Sequence, residues 1–218
     1  MPLTLHGYFR SGTSYRVRLA LNWKQVPFET LPVNLLKGEQ GENKYKVLNP
    51  QGLVPALQLD DTTILTQSPA ILEWLEEQHP EPALLPQDPT ERAKVRAFCA
   101  VIGCDTHPLQ NLRVMKKIRA DFHDDQETAW AWARHWITLG FQTLESLAAR
   151  EGQSSAFVFG SRPTLAEVYL VPQMYNARRF GVNLEAFPRL IAADAAANEL
   201  EAFIAAKPEN QPDAPVSD

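Results

Sequence analysis

The chain has few cross-linking or metal-binding side chains, with 2 cysteines and 5 histidines in 218 residues. Cys99 and Cys104 form no C-x-x-C pair, and two sulfurs are too few for a disulfide scaffold or a zinc site of their own. No metal site is expected. No apolar run approaches the roughly 18 residues of a spanning helix. The opening MPLTLHGYFR lacks a basic n-region and an apolar h-region, so export is not expected. There is no long Lys/Arg run either, and 21 basic against 26 acidic side chains leave a net charge of −5. That balance speaks against nucleic acid and anionic membrane as partners. No G-x-S-x-G, H-E-x-x-H or G-x-x-x-x-G-K-[ST] occurs, so the common hydrolase, zinc-protease and nucleotide-loop signatures are missing. What remains is ordinary globular composition, 44% hydrophobic and 22% charged. With no sign of disulfides, a reducing, cytoplasmic location is expected.

Glycine is scarce, 10 against 17 prolines, and the prolines cluster in HPEPALLPQDP. Proline has no amide donor and disfavours helix in the residue before it, so this stretch reads as an extended connector. It separates two textures. Before it, Leu3-Thr4-Leu5 and Phe28–Val33 read as strands around a helix from Ser14 to Lys24, a parallel βαβ unit. Val54–Leu59 and Thr63–Thr66 form a hairpin through Asp60-Asp61, and Ser68-Pro69 opens a helix with Ile71, Leu72 and Leu75 on one face. The order βαβ then ββα is that of a thioredoxin-like domain. After the connector nearly everything has helical spacing, with a break expected near Pro108. Trp132, Trp136, Leu139, Thr143, Leu144 and Leu147 mark one helical stripe, Thr164–Glu167 has capping-box spacing, and a last helix is expected over Pro188–Ala206. The expected organisation is α/β plus all-α: a thioredoxin-like domain over 1–80, a linker over 81–89 and a helical domain over 90–218. The tail KPENQPDAPVSD is expected to wrap the surface or be loose.

The segment from Phe9 to Arg18 carries the chemistry. Ser11, Gly12, Thr13 and Ser14 sit between a strand and the amino end of a helix. Amide groups and the helix dipole there favour an anion, and a hydroxyl could donate to a thiolate; helix capping alone would use the same residues. Val54-Pro55 places a proline where a strand begins, a position that is usually cis in a thioredoxin-like domain, leaving the preceding backbone to pair with a peptide ligand. Gln67-Ser68 offers donors to a carboxylate, although N-capping by Ser68 is equally expected. His107 beside Pro108 reads as a helix-kink feature or as a ligand or base, and both cysteines read as core.

Together these segments resemble the glutathione transferase superfamily, and RSGTSYRVRLAL resembles its zeta-class signature S-S-C-x-W-R-V-R. NPQGLVPAL, TQSPAILEWLEE, PLQNLRV, TLAEVYLVPQMYNARRF and ENQPDAP are similar to further zeta-class segments, in the same order along the whole chain. The resemblance implies glutathione as cofactor, a homodimer, and cis–trans isomerisation of maleylacetoacetate in aromatic catabolism, by reversible thiolate addition to a double bond. It makes Ser11 the leading thiolate donor, supported by Thr13 or Ser14. Val54 and Pro55 would face the glutathione backbone, and Gln67 with Ser68 its γ-glutamyl end. Gln51, His107, Gln110 and Asn111 are further cofactor-side carry-overs. Arg10, Arg179 and Arg113 are assigned to the carboxylates of the substrate, since guanidinium grips carboxylate bidentately. Gly12-Thr13 departs from the Ser-Cys of the signature and resembles bacterial maleylpyruvate isomerases, so maleylpyruvate is the alternative substrate. Conjugation or dehalogenation of small halogenated acids, which consumes glutathione or hydrolyses it off, is a second enzymatic reading; a non-enzymatic scaffold is a third, and retention of Ser11, Pro55 and Gln67-Ser68 argues against it.

Overall fold

A computed structural model describes residues 2–123, 125–151 and 155–215. The chain divides into two compact units, Met1–Leu84 with Glu199–Asp218, and Leu85–Asn198.

The first unit is built from β1 (Leu3–Gly7), α1 (Gly12–Trp23), β2 (Phe28–Pro32), the short α2 (Asn43–Lys46), β3 (Ala56–Gln58), β4 (Ile64–Thr66) and α3 (Ser68–Gln78). The four strands form one mixed sheet in the order β2-β1-β3-β4. β1 and β2 run parallel, as the α1 crossover requires, and β1 pairs antiparallel with β3 so that Leu5 opposes Leu57. Both leucines are fully buried, with Val17, Leu19, Ala20 and Leu21 of α1 and Ile71, Leu72 and Leu75 of α3. This is the thioredoxin-like arrangement read from the sequence. The first hairpin strand is shorter than expected at both ends, and the second begins one residue late. Pro55 has no amide to add to the ladder, and Asp60 draws the Thr62 and Thr63 amides into a turn at the tip.

The connector is anchored rather than free. Lys24, wholly buried, forms an ion pair with Glu76 at 2.7 Å and donates to the carbonyls of His79 and Pro82. Glu76 in turn accepts the Leu84 amide, and Leu84 is fully buried.

The second unit holds α4 (Pro89–Ala100), α5 (Leu112–Asp121), α6 (Gln126–Arg150), α7 (Leu165–Phe180) and α8 (Pro188–Asn198). Between α4 and α5 the chain passes through a π-helical turn, Val101–Thr106, and a 3-10 turn, His107–Gln110. The break near Pro108 was legible; the π turn was not. It rotates the following residues off the α4 stripe, so Cys99 is buried as expected while Cys104 is exposed, contrary to the core reading. In α6 the buried stripe is Ala129, Ala133, Ile137, Phe141, Leu144 and Ala148, while Trp132 and Leu139 are among the exposed large side chains. Leu144 is buried as expected, but the rest of the buried face mixes alanines with Ile137 and Phe141, and the approach is close: a Cβ on Gly140 would lie 2.2 Å from the Thr106 hydroxyl. α7 begins with the expected capping box. The Thr164 hydroxyl accepts from the Ala166 amide, and Glu167 accepts from the Thr164 and Val158 amides. Burial pushes the Glu167 carboxyl up, against the pull of those hydrogen bonds.

The last expected helix is two. α8 ends at Asn198, Leu200 is extended (φ −79°, ψ 132°), and α9 (Glu201–Ala206) packs on α1. Residues 199–218, expected in the helical domain, therefore group with the first unit. The fully buried Phe203 packs edge-on against Trp23, and Asn22 donates to the Ala202 carbonyl. Of the tail, residues 207–215 turn back along α9, where Gln211 donates to the Ala205 and Lys207 carbonyls; 216–218 lie outside the described residues. No helix among the described residues is long and apolar enough to cross a membrane.

Candidate active site

The chain leaves β1 at Gly7 and enters α1 through the turn Tyr8–Ser11. Ser11 is the N-cap: its backbone is extended (φ −68°, ψ 120°) and its Oγ accepts the Ser14 amide at 3.2 Å. The same Oγ lies 3.0 Å from the Thr13 hydroxyl, and Thr13 Oγ1 donates to the Val54 carbonyl at 2.9 Å. A threonine has one hydroxyl hydrogen, and Val54 takes it, so Ser11 is the donor within the Ser11–Thr13 pair. A short relay thus runs from Ser11 through Thr13 to the backbone just before Pro55. Ser14 is fully buried and its hydroxyl accepts the Tyr8 amide, so it braces the turn from behind. Expected as a second support for a thiolate, it faces the interior instead.

The Val54-Pro55 peptide is cis. The loop before it is tightly held: the Tyr45 hydroxyl and the Asn49 side-chain amide both donate to the Leu53 carbonyl at 2.7 Å. Burial pushes the Tyr45 phenol up to about 12. Gly52 sits at φ +64°, where a Cβ would also press the Gln40 carbonyl at 3.0 Å. Gln67, at φ +70°, precedes α3, and its side chain donates to Gln51 at 2.6 Å. The N-cap position of α3 is Gln67, not Ser68, which is buried and accepts from the Arg16 guanidinium at 3.5 Å. Within the first unit, then, Ser11, Thr13, Val54 and Pro55 form one group, and Gln51 and Gln67 another. Arg10 follows Phe9, with its guanidinium 5.8 Å from the Phe9 ring.

In the second unit His107 starts the 3-10 turn and Gln110 ends it. Gln110 is buried, and neither atom of its amide has a hydrogen-bond partner among the described residues. Asn111 caps α5 by accepting the Arg113 amide, and Arg113 is exposed in the first turn of that helix. Arg179 is exposed in the last turn of α7, 5.0 Å over the Phe180 ring. Sequence reading did not assign Gln173, whose fully buried amide is likewise unpartnered among the described residues. Nor did it give a role to Arg16 and Arg18, the two arginines of the R-V-R in the signature, which are buried to 2% exposure on α1.

A hydroxyl at a helix N-terminus, tied to the backbone beside a cis-proline on a mixed four-stranded sheet, defines a thioredoxin-fold domain suited to a thiol peptide. Residues 10–78 match the family model described as glutathione S-transferase, N-terminal domain. The maleylpyruvate isomerase of Ralstonia sp is 49% identical over 211 residues, covering 97% of this chain and 99% of that protein. A solved holo structure of a maleylpyruvate isomerase, described as a bacterial zeta-class glutathione transferase, superposes with a TM-score of 0.95 at 49% identity, covering 97% of this chain and 100% of that one. The maleylacetoacetate isomerase of Anaeromyxobacter dehalogenans, solved with glutathione in its active site, gives 0.88 at 45% identity over 98% of each chain. The chain belongs to the zeta-class glutathione transferase family.

The residues present fit glutathione. Within the first unit, Ser11 offers a donor beside the first-turn amides of α1, and Val54 offers a carbonyl with a lone pair beyond the one Thr13 uses.

Proposed function

We propose that this chain isomerises a maleyl keto acid, maleylacetoacetate to fumarylacetoacetate, with glutathione as cofactor, in the breakdown of aromatic compounds. The observation that carries the reading is the Ser11 hydroxyl at the N-cap of α1, joined through Thr13 to the Val54 carbonyl. Glutathione, when bound, supplies a thiolate whose reversible addition to the conjugated double bond leaves a single bond free to rotate. The protein's tasks are placement and electrostatics. Ser11 turns its hydrogen from Thr13 toward the anion, while the Ser14 amide keeps hold of its oxygen. The dipole of α1 favours negative charge at the same place. Val54 pairs with the peptide backbone of the cofactor. Gln67 and Ser68 hold its γ-glutamyl end, with Gln51 behind Gln67 and with His107, Gln110 and Asn111 as further contacts. Arg10 and Arg179, with Arg113 as a third, hold the substrate carboxylates by charge-assisted hydrogen bonds.

Gly12-Thr13 in place of the signature Ser-Cys favours a second reading, maleylpyruvate as substrate. The test is a spectroscopic isomerase assay on both acids side by side, with and without glutathione. Turnover that requires glutathione and leaves its concentration constant supports isomerisation; steady loss of glutathione supports conjugation, and no turnover of either acid refutes the reading. We take the working form to be a cytoplasmic homodimer, which sedimentation equilibrium tests for its mass.

A further inference from the structure

Among the described residues, the turn that presents Arg10 and Ser11 makes no backbone–backbone hydrogen bond at Phe9. Instead both backbone groups of Phe9 are taken by side chains. Its amide donates to Asp213 Oδ2 at 2.9 Å, and its carbonyl accepts from Arg18 Nη2 at 2.8 Å. Arg18 also donates through Nε to the Ala206 carbonyl at 3.1 Å and through Nη1 to the Tyr8 carbonyl at 3.5 Å. One guanidinium therefore joins three elements: the turn, α1, and the end of α9. Tyr15 lies against it, the ring centroid 5.2 Å away. At 2% exposure Arg18 has little access to water, and desolvation lowers it to about 10 in spite of Tyr15, Asp213 and Glu209, so it stays charged at neutral pH. The segment that supplies Asp213 is itself fastened by Gln211 to Ala205 and Lys207 and by Asn210 to Ile204.

We propose that the returning segment Ala206–Asp213 acts with Arg18 as a clamp that positions the Tyr8–Ser11 turn, making Arg18 and Asp213 positioning residues for the thiol-activating Ser11. The proposal rests on the glutathione reading above. The geometric reason is direct. Ser11 donates its amide to the Tyr8 carbonyl at 3.0 Å, so the carbonyl that seats Ser11 is the one Arg18 also holds. Only Arg10 separates Ser11 from the clamped Phe9 peptide. Releasing Phe9 lets the turn move, and a donor aimed at an anion loses most of its value when it is misdirected.

The test uses the full-length protein and glutathione itself. Ultraviolet titration of the bound thiolate, isomerase kinetics and thermal unfolding are compared for wild type, Asp213→Ala and Asp213→Asn. Asparagine keeps an oxygen that can accept the Phe9 amide, while alanine does not. The expected result for Asp213→Ala is a raised pKa of the bound thiol and about a tenfold loss in kcat, of the order of one misplaced hydrogen bond to an anion. The KM for glutathione should change by less than about twofold, and Asp213→Asn should recover most of kcat. Wild-type protein that binds glutathione without lowering its thiol pKa overturns the glutathione reading and the clamp with it. Wild type that lowers the pKa, with an alanine variant that lowers it equally, overturns the clamp alone. So does a kcat loss that only tracks the melting temperature and is not recovered by asparagine.

Discussion

Replacing Ser11 by alanine removes two separable things. The first is the cap: Oγ accepts the Ser14 amide at 3.2 Å, and loss of an N-cap oxygen costs about 0.5–2 kcal/mol of stability. The second is the donor. In the resting relay Ser11 donates to Thr13, a neutral acceptor at 3.0 Å, because the Thr13 hydrogen is committed to Val54. A hydrogen bond to a charged group contributes about 1.5–3 kcal/mol and a neutral one about 0.5–1.5 kcal/mol. Turning Ser11 toward a thiolate therefore gains the difference, roughly 1–1.5 kcal/mol, which is about one pKa unit. Ser11→Ala should raise the pKa of bound glutathione by about one unit and lower kcat at neutral pH by roughly tenfold, with glutathione affinity changed much less. Urea unfolding measures the cap, and titration of thiolate absorbance in the protein complex measures the donor. An unchanged thiol pKa in a folded, glutathione-binding variant would refute the assignment of Ser11.

Arg10→Ala and Arg179→Ala should each cost about ten- to a hundredfold in kcat/KM on a maleyl keto acid, the equivalent of one charge-assisted hydrogen bond. Both should leave a neutral electrophile such as a chloronitrobenzene nearly untouched; equal losses on both substrates would remove the carboxylate role. Glu76→Leu should destabilise by about 3–5 kcal/mol in urea unfolding, because it leaves the buried Lys24 ammonium with neutral carbonyls and without its Glu76 counter-charge, whereas the double variant Lys24→Met, Glu76→Leu should recover part of that loss. Asp60, exposed at the hairpin tip, is held down to about 2 from 3.8 by the Thr62 amide, the Thr62 hydroxyl and the Thr63 amide. A carboxyl depressed by folding stabilises above its unfolded value and loses that contribution as pH falls through the folded one. The stability gap between wild type and Asp60→Ala should accordingly be full above about pH 4 and close as pH falls toward 2.

Local chemistry in this chain was legible where one segment settles its own structure. The βαβ–ββα order, the position of Pro55, the capping box of Thr164 and Glu167, and the break near Pro108 each depend on residues adjacent in sequence. Features that depend on distant packing were not legible. Nothing local marks the turn at Leu200 that separates α8 from α9, since no glycine or proline stands there; Phe203 reaching Trp23 decides it. Of the expected α6 stripe Leu144 is buried, but the stripe as a whole was misplaced because hydrophobic size was weighed where the buried face also carries Ala129, Ala133 and Ala148. Arg18 bonds to a carbonyl 188 residues away, a separation no periodicity can reveal.

The departure from the zeta signature at Thr13 is explained by the bonds it makes. If the sulfur that does chemistry arrives with glutathione, this position needs no nucleophile of its own. A cysteine thiol is a weak donor, whereas the Thr13 hydroxyl bonds the Val54 carbonyl at 2.9 Å and accepts from Ser11 at 3.0 Å. Val54 is also fixed from the other side, since Tyr45 and Asn49 hold the Leu53 carbonyl beside it. Thr13 therefore couples the residue proposed to meet the thiol with the backbone proposed to meet the peptide. The β-branched side chain adds stiffness, because few χ1 rotamers are open to threonine in the first turn of a helix. In this reading the substitution trades a thiol for a brace, and the donor that matters for catalysis stays with Ser11.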